Sequence, residues 1–203
     1  MPHRPHLRYA ARKERNMSKK YEVILADPPW QKQGGEKHYD TMPLDEIAGM
    51  GEAVRSIAAD NCQLFMWTTN ALITEASQVA KEWGFTRQSI ITWVKLNRLG
   101  LSSRYGVRNA TEHLLLFTRG RVPVAYRSQP SWFATPVGSH SVKPHEQYAI
   151  IDRLAGPGKN KLELFARHRQ LGWDAWGNEV DSQVSFEKFG YPVPSDFDQE
   201  RSA

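Results

Sequence analysis

The chain has a single cysteine and no apolar run longer than a β-strand. Cys62 is the only cysteine among 203 residues, so neither a disulfide framework nor a cysteine-based metal site is available. A membrane-spanning helix needs about 20 consecutive apolar residues, and no run approaches that length. The basic segment 1–16 also lacks the apolar stretch of a signal peptide. We therefore expect a cytoplasmic protein without a membrane segment.

Two common site patterns are missing as well. The seven histidines show no metal-ligand spacing such as H-x-x-x-H beside an acid, and we predict no metal. A glycine-rich nucleotide loop would read F-x-G-x-G, but Ala166 and Arg167 follow Phe165. A search for that motif alone would therefore find no cofactor site in this chain.

Positive charge is concentrated at the start of the chain. Residues 1–20 hold seven Lys or Arg and one acid, which gives +6; because the whole chain carries +5, residues 21–203 sum to −1. We expect a flexible basic extension at 1–20 that either contacts phosphates or is passive, with Met17 as a plausible natural start. Residues 181–203 hold five acids and two bases and predict a loosely held acidic tail. One ordinary domain at 21–180 lies between them.

Within that domain, short apolar runs alternate with helix-like stretches. Strands are predicted at 21–26, 62–68, 88–94, 113–118 and 162–165. Helices are predicted at 44–59, weakened by two glycines, at 71–83 and at 145–154. The alternation predicts an α/β fold with a mainly parallel sheet and helices on both faces. Two long irregular segments, 31–43 and 96–110, have the length of functional loops.

The most informative motif is Asp27-Pro28-Pro29-Trp30, which follows the apolar run 23–26. A strand that ends at an acid places a carboxylate at the carboxyl edge of a sheet, where open α/β folds bind ligands. The two prolines make the turn stiff. The Asp27 carboxylate and the Pro28 carbonyl can then accept both hydrogens of an external amine, while Trp30 offers a flat face to a ring. The motif indicates a planar base with an exocyclic amine; the alternative is an ordinary Asp-Pro turn.

From about residue 21 to residue 180 the chain resembles the Asp-Pro-Pro-Trp, or MT-A70-like, adenine N6-methyltransferases. That family includes the catalytic subunit of the eukaryotic messenger-RNA adenine methyltransferase, and the chain is most similar to its compact phage and bacterial members. The resemblance rests on Asp27 to Trp30 and then, in order, on Tyr39-Asp40-Thr41-Met42, Leu64-Phe65-Met66-Trp67, Trp93-Val94-Lys95, Glu112-His113, Lys143-Pro144, Glu163-Leu164-Phe165-Ala166-Arg167 and Trp176-Gly177-Asn178. It implies a Rossmann-like, S-adenosylmethionine-dependent methyltransferase whose catalytic motif precedes its cofactor motif.

The resemblance also implies a cofactor site late in the chain. Lys143 would pair with the carboxylate of S-adenosylmethionine. Arg167 and Asn178 would contact its ribose and adenosine portions, and Asp27 would lie between donor and acceptor.

Other residues near this motif have competing interpretations. The family match favours Glu163 as an acceptor for ribose hydroxyls, against the alternative of a solvent-facing acid on an edge strand. Arg169 and Gln170 depart from the animal enzymes and receive no role. We expect His113 to be structural rather than catalytic.

Basic and aromatic residues in the two irregular segments favour nucleic-acid binding. Lys95 precedes the second segment, which contains Arg98, Arg104, Tyr105 and Arg108. Arginines with an interposed aromatic suit a nucleic-acid backbone and an unstacked base, and ordinary solvated charges are the alternative. The first segment contains Tyr39, which in the resembled family borders the acceptor pocket, and we expect a mobile lid there.

Together these features predict an enzyme that methylates the exocyclic N6 amine of adenine in nucleic acid, with DNA favoured. Stacking of the base on Trp30 would contribute about 1–3 kcal/mol. The alternatives are the same reaction on RNA, methylation of the amine of cytosine, and a catalytically silent nucleic-acid-binding partner subunit. The oligomeric state stays open, with a dimer as one alternative.

Overall fold

The computed structural model describes residues 19–31, 41–97, 106–138, 142–184 and 186. Seven strands in these residues form one sheet in the order β5-β3-β4-β2-β1-β6-β7. They are β1 (Tyr21–Ala26), β2 (Ala58–Thr68), β3 (Thr86–Lys95), β4 (Thr111–Arg119), β5 (Trp132–Thr135), β6 (Lys161–Leu164) and β7 (Asp174–Trp176). Of these strands, β4 alone runs antiparallel to its neighbours. The carboxyl ends of the other six and the start of β4 therefore lie at one edge of the sheet.

Helices cover both faces of the sheet. They are α1 (Leu44–Gly49), α2 (Gly51–Ile57), α3 (Ile73–Glu82), preceded by a 3₁₀ turn at Asn70–Leu72, and α4 (Glu146–Ala155). On one face, Ile47 and Val79 from α1 and α3 pack with Ile24 of β1. On the other face, Ile151 of α4 packs with Leu25. The predicted architecture, a mainly parallel sheet with helices on both faces, is confirmed.

The order of the strands reverses between β1 and β6. The sheet extends from β1 through β2 on one side, whereas β6 and β7 extend it on the other. Strands β1 and β6 pair in parallel, with Leu25 opposite Glu163 and Ala26 opposite Leu164. In open α/β sheets such a switch point leaves a crevice at the carboxyl ends of the strands. The predicted catalytic and cofactor motifs, which follow Ala26 and Leu164, therefore emerge side by side.

Most predicted elements are present, and the differences have local causes. The helix predicted at 44–59 is divided at Met50, which lies between Gly49 and Gly51 and ends α1. The predictions miss β5 and β7, which have only four and three residues. In the two long irregular segments, the described residues belong to no helix or strand.

Residues beyond the predicted domain boundaries also pack onto the sheet. Lys19 forms an ion pair with Asp174 of β7 at 2.7 Å. Gln183 bonds to both the N–H and the C=O of one β7 residue, and Phe186 meets Trp176 with ring centroids 4.8 Å apart. Residues that pack on the sheet thus reach from Lys19 to Phe186. None of the helices in the described ranges is long and apolar enough to cross a membrane.

Candidate active site

Hydrogen bonds fix the turn that follows β1. The Pro28 carbonyl accepts the backbone N–H of Trp30 at 2.8 Å, which closes a γ-turn. The next carbonyl accepts the N–H of Met42 at 2.9 Å, and the Trp30 indole N–H donates to the Trp67 carbonyl at 3.0 Å. Because hydrogen bonds hold both the backbone and a side chain of the motif, Asp27 has a defined position at the end of β1.

Two details of this turn differ from the prediction. Trp30 is only 5% exposed. A buried indole N–H needs a hydrogen-bond acceptor, and a carbonyl near the end of β2 provides one. Its ring therefore presents no open face to a base in this conformation, and it stabilises the turn instead. The Pro28 carbonyl already has a donor, although its second lone pair can accept another hydrogen bond.

Four charged side chains alternate in sign along the carboxyl edge of the sheet. Lys143 Nζ lies 2.7 Å from Asp27 Oδ2 and 3.5 Å from Glu112 Oε2. The other oxygen of Glu112 bonds to Lys95. We call Asp27, Lys143, Glu112 and Lys95 the charge row. These side chains are 17–30% exposed, so their interactions are screened less than those of surface ion pairs.

Two tryptophans support the lysines of the charge row. Lys143 Nζ lies 5.6 Å from the ring centroid of Trp67, and Lys95 Nζ lies 5.1 Å from that of Trp93, both within cation–π range. The Trp67 indole N–H donates to Gln147 Oε1 at 2.6 Å, which connects this ring to α4. The aromatic rings thus hold both ammonium groups against the sheet edge.

Glu112 is kept ionised by its two partners. Burial raises the pKa of its carboxyl group, but the charge of Lys143 and the hydrogen bond and charge of Lys95 outweigh burial, and the net shift is downward. The next residue, His113, is bonded through its two ring nitrogens to Thr92 at 3.1 Å and Asn70 at 2.5 Å. Burial lowers the pKa of His113, against the charge of Glu112. These contacts are consistent with a structural role for the histidine.

On the other side of Asp27, Glu163 and Tyr148 form a hydrogen-bonded pair. The Tyr148 hydroxyl donates to Glu163 Oε2 at 2.8 Å. Burial raises the pKa of Glu163 to about 7; the bond from Tyr148 opposes this rise, and the charge of Asp27 adds to it. Since β6 lies between β1 and β7, Glu163 is not a solvent-facing acid on an edge strand.

The loops after β6 and β7 are in direct contact. The Ala166 N–H donates to the Trp176 carbonyl at 3.0 Å, and a Cβ on Gly177 would lie 2.0 Å from the Ala166 oxygen. Phe165 has a φ of 61°, a left-handed conformation that is uncommon for a bulky residue. Its ring packs edge-on against Trp176 at 5.4 Å. Phe165 thus makes the sharp turn that follows β6, and such strained residues cluster at functional sites.

These loops carry two of the predicted cofactor residues. Asn178 Oδ1 is buried and has no hydrogen-bond partner among the described residues. Such an acceptor is unusual and fits a site that a ligand completes. Arg167 lies 3.6 Å from Glu179. With Lys143 and Glu163 nearby on the same sheet edge, the polar groups fit a nucleoside cofactor that carries a carboxylate, hydroxyl groups and an amine.

The predicted substrate-binding residues fall into two groups. Tyr39, Arg98, Arg104 and Tyr105 lie outside the described residues. Arg108 is exposed, whereas Lys95 belongs to the charge row and is bonded to Glu112. A direct contact between Lys95 and a phosphate would have to compete with that ion pair. In the described ranges, no group of three or more His, Cys, Asp or Glu side chains could hold a metal ion.

Glu112, Gln147 and Tyr148 line the site but were not predicted as site residues, although Glu112 belongs to one of the motifs that carry the family resemblance. Glu112 reaches Lys143 only because the start of β4 and the segment before α4 meet at the same edge, and no spacing rule links them. Gln147 and Tyr148 lie in the first turn of α4, directly after Lys143-Pro144. Their position in that turn is the signal that could have identified them.

The sequence matches known proteins over most of its length. Residues 21–179 match the sequence model of the MT-A70 family, and all the site residues described above lie in this range. The chain belongs to the MT-A70 family. Its motif Asp27-Pro28-Pro29-Trp30 and the charge row are therefore features of a member of an N6-adenine methyltransferase family.

Three relatives show how this MT-A70 chain compares in extent. The Type II methyltransferase M.MunI of Mycoplasma sp. is 32% identical over 90% of the chain and 86% of its own length. The N(6)-adenosine-methyltransferase MT-A70-like protein of Drosophila melanogaster is 32% identical over 80% of the chain but 27% of its own length. The N6-methyladenosine RNA methyltransferase MTA1 of Pyricularia oryzae is 27% identical over 79% of the chain and 47% of its own length. The chain thus spans most of M.MunI and less than half of the two eukaryotic proteins.

Proposed function

We propose that this MT-A70 protein is an S-adenosylmethionine-dependent methyltransferase that acts on the exocyclic N6 amine of adenine in DNA. The position of Asp27 carries the proposal. It lies at the carboxyl end of β1, at the switch point of the sheet, and is bonded to Lys143 at 2.7 Å. An acid that merely opened a turn would not need a lysine brought from the segment before α4.

Residues on both sides of the β1–β6 crevice would hold the cofactor. Lys143 would bind its carboxylate, since an ammonium group on a flexible stem binds a carboxylate as a point charge. Glu163 would accept a hydrogen bond from a ribose hydroxyl, and the unpaired oxygen of Asn178 would accept one from the adenosine portion, near Arg167. When bound, the cofactor supplies a methyl group on a sulfonium centre.

Asp27 and the Pro28 carbonyl would orient the target amine. The lone pair of an amine attached to an aromatic ring is delocalised, which makes the nitrogen a weak nucleophile. Two acceptors that hold its hydrogens out of the ring plane return that lone pair to nitrogen. The nitrogen becomes cationic as it gains the methyl group, and the adjacent carboxylate stabilises that charge. Positioning and this preorganised charge supply most of the acceleration.

The target base would reach this position only when it is unstacked. In a duplex, flipping it out costs a few kcal/mol, a cost that single strands avoid. Since Trp30 is buried, the aromatic residues proposed to contact the base are Tyr39 and Tyr105. Arg98, Arg104 and Arg108 would contact the nucleic-acid backbone.

The extent of the relatives favours DNA over RNA. The chain matches a bacterial Type II methyltransferase over 86% of that protein's length, whereas the fungal enzyme named as an RNA methyltransferase is matched over 47%. RNA is the second candidate, because one relative carries that substrate in its name.

The test is mass spectrometry of nucleosides from DNA and RNA, each incubated separately with the full chain and methyl-deuterated S-adenosylmethionine. The proposal expects label on adenine N6 in the DNA pool. Label in the RNA pool alone would change the substrate but keep the reaction. Absence of label in both pools, with cofactor binding confirmed by calorimetry, would favour a silent partner subunit.

A further inference from the structure

Glu112 is a partly buried acid at the start of β4 that the reaction proposed above does not use. Each of its carboxylate oxygens faces a different lysine, since Oε1 bonds to Lys95 and Oε2 lies 3.5 Å from Lys143 Nζ. Its side chain is 18% exposed. Because both oxygens face ammonium groups, the charge of Glu112 acts within the charge row rather than on solvent.

Lys143 is shared between two acids. Its ammonium group lies closer to Asp27 than to Glu112, at 2.7 Å against 3.5 Å. In that position it occupies Asp27 Oδ2, one of the oxygens that would accept a hydrogen of the target amine. An ionised donor binds a carboxylate more tightly than a neutral amine does. Lys143 therefore competes with the substrate for Asp27.

The surroundings of Lys143 allow its ammonium group to change partners. Strand β2 separates β1 from β4, so Asp27 and Glu112 stand on either side of its end, and the Trp67 ring lies beneath the ammonium group. The bond from Lys95 fixes one oxygen of Glu112 and leaves the other directed at Lys143. Two carboxylates thus flank one lysine across an aromatic surface, and the charge of each determines how strongly the other holds it.

We propose that Glu112 is a positioning residue that draws the Lys143 ammonium group away from Asp27 during the reaction, so that Asp27 is free to accept the target amine. The proposal rests on the proposed function, in which Asp27 orients that amine. It assigns Glu112 an effect on the methyl-transfer step, which acts through Lys143, and no contact with substrate or cofactor.

The decisive variant is Glu112→Gln, which keeps the shape of the side chain and removes its charge. Lys143 should then settle on Asp27, and the single-turnover rate of methyl transfer should fall by about tenfold or more. Because an ammonium group has three N–H donors, Lys143 can pair with either acid and still bind the cofactor carboxylate. The dissociation constant for S-adenosylmethionine, followed by tryptophan fluorescence of the full chain, should therefore stay within about threefold. Glu112→Asp, which keeps the charge at shorter reach, should recover part of the lost rate.

A control separates this effect from the general loss of an ion pair. Asp152→Asn breaks the pair between Asp152 and Lys161, which has a 2.7 Å contact on the outer part of α4, and its transfer rate should remain within about twofold of the unmodified chain. A merely structural role for Glu112 would lower the thermal midpoint and reduce rate and cofactor affinity together, without recovery in Glu112→Asp.

Three results would overturn the inference. The first is a transfer rate in Glu112→Gln within about twofold of the unmodified chain. The second is a loss of rate matched by an equal loss of cofactor affinity, because Glu112 would then only hold Lys143 for the cofactor. The third is the structural pattern described above.

If the unmodified chain binds the cofactor but labels no nucleic acid, the proposed function itself fails, and this outcome is distinct because it precedes any variant. Should Glu112→Gln not fold, Glu112→Ala, which also removes the charge, takes its place, and the same three results overturn the inference.

Discussion

A single carboxylate, Asp27, belongs both to the turn after β1 and to the charge row. The motif around it could be predicted from the sequence, because an acid, two prolines and a tryptophan at the end of a strand restrict the backbone strongly. The burial of Trp30 could not, since it depends on the Trp67 carbonyl at the end of another strand. The pairing of Asp27 with Lys143 could not be predicted either, because the motif of each residue points to an external ligand.

Asp27→Asn tests the role of that carboxylate at the residue scale. The variant keeps the size of the side chain and removes its charge, so the methyl-transfer rate should fall by about 10²–10³-fold, as for other preorganised groups that stabilise a transition state. Cofactor affinity should change only several-fold, since Lys143 keeps Glu112 as a partner. Quenched single-turnover assays measure the methyl-transfer rate, and calorimetry measures the cofactor affinity. Asp45→Asn, at an exposed position of α1, is the control. Near-normal turnover by Asp27→Asn would rule out the catalytic assignment.

Among the elements, the strands β1 to β4 and the four-residue β6 were predictable, whereas β5 and β7 were not. The predicted strand at 21–26 coincides with β1 (Tyr21–Ala26). The strand β5 was missed because it is a four-residue edge strand with an exposed Trp132, and its three consecutive apolar residues are too few to mark a strand. The strand β7 has three residues and lies between the turns that begin at Leu171 and Gly177. Pairing with the neighbouring strand of the sheet, rather than local pattern, determines both strands.

Gly177→Ala tests the contact between the loops that follow β6 and β7. An added Cβ would lie 2.0 Å from the Ala166 oxygen and 2.7 Å from its nitrogen, so the two backbones must separate. The expected result is destabilisation by about 1–3 kcal/mol together with weaker cofactor binding, because Asn178 and Arg167 lie on these loops. Urea unfolding and calorimetry measure the two effects.

Gly49→Ala is the matched control for that substitution, because no atom beyond its chain neighbours and its own helix backbone lies within 4 Å of its added Cβ. It should reduce neither the stability nor the cofactor affinity. If Gly177→Ala binds the cofactor as tightly as the unmodified chain, the loop contact does not shape the cofactor site.

For the whole molecule, the distribution of charge predicts how nucleic-acid binding responds to salt. Residues 1–16 contain five Lys or Arg and one acid, and their sequence leaves open whether they contact phosphates. If they do, deleting them should flatten the dependence of the logarithm of affinity on the logarithm of salt concentration by about 0.9 for each phosphate that is no longer neutralised. Fluorescence anisotropy with duplex DNA measures the slope. Replacing the five Lys and Arg residues of this segment by Gln in the full-length chain should give the same result. An unchanged slope in both variants would mean that the segment is a passive extension.

Global stability should also depend on pH through Glu163. Its pKa of about 7 in the folded protein exceeds its ordinary 4.5, so the folded state holds the proton more tightly than the unfolded chain. This stabilisation is complete below about pH 4.5 and is lost as the pH rises through about 7, with a total of at most about 3 kcal/mol. In Glu163→Gln the group no longer titrates. The free energy of unfolding of the unmodified chain, minus that of the variant, should therefore decrease steadily from pH 5 to about pH 8 in urea titrations. Glu46→Gln, at an exposed position of α1, gives the baseline for losing a carboxylate. If the difference in the free energy of unfolding between the unmodified chain and Glu163→Gln stays constant across this range, Glu163 is already ionised at pH 5 in the folded protein.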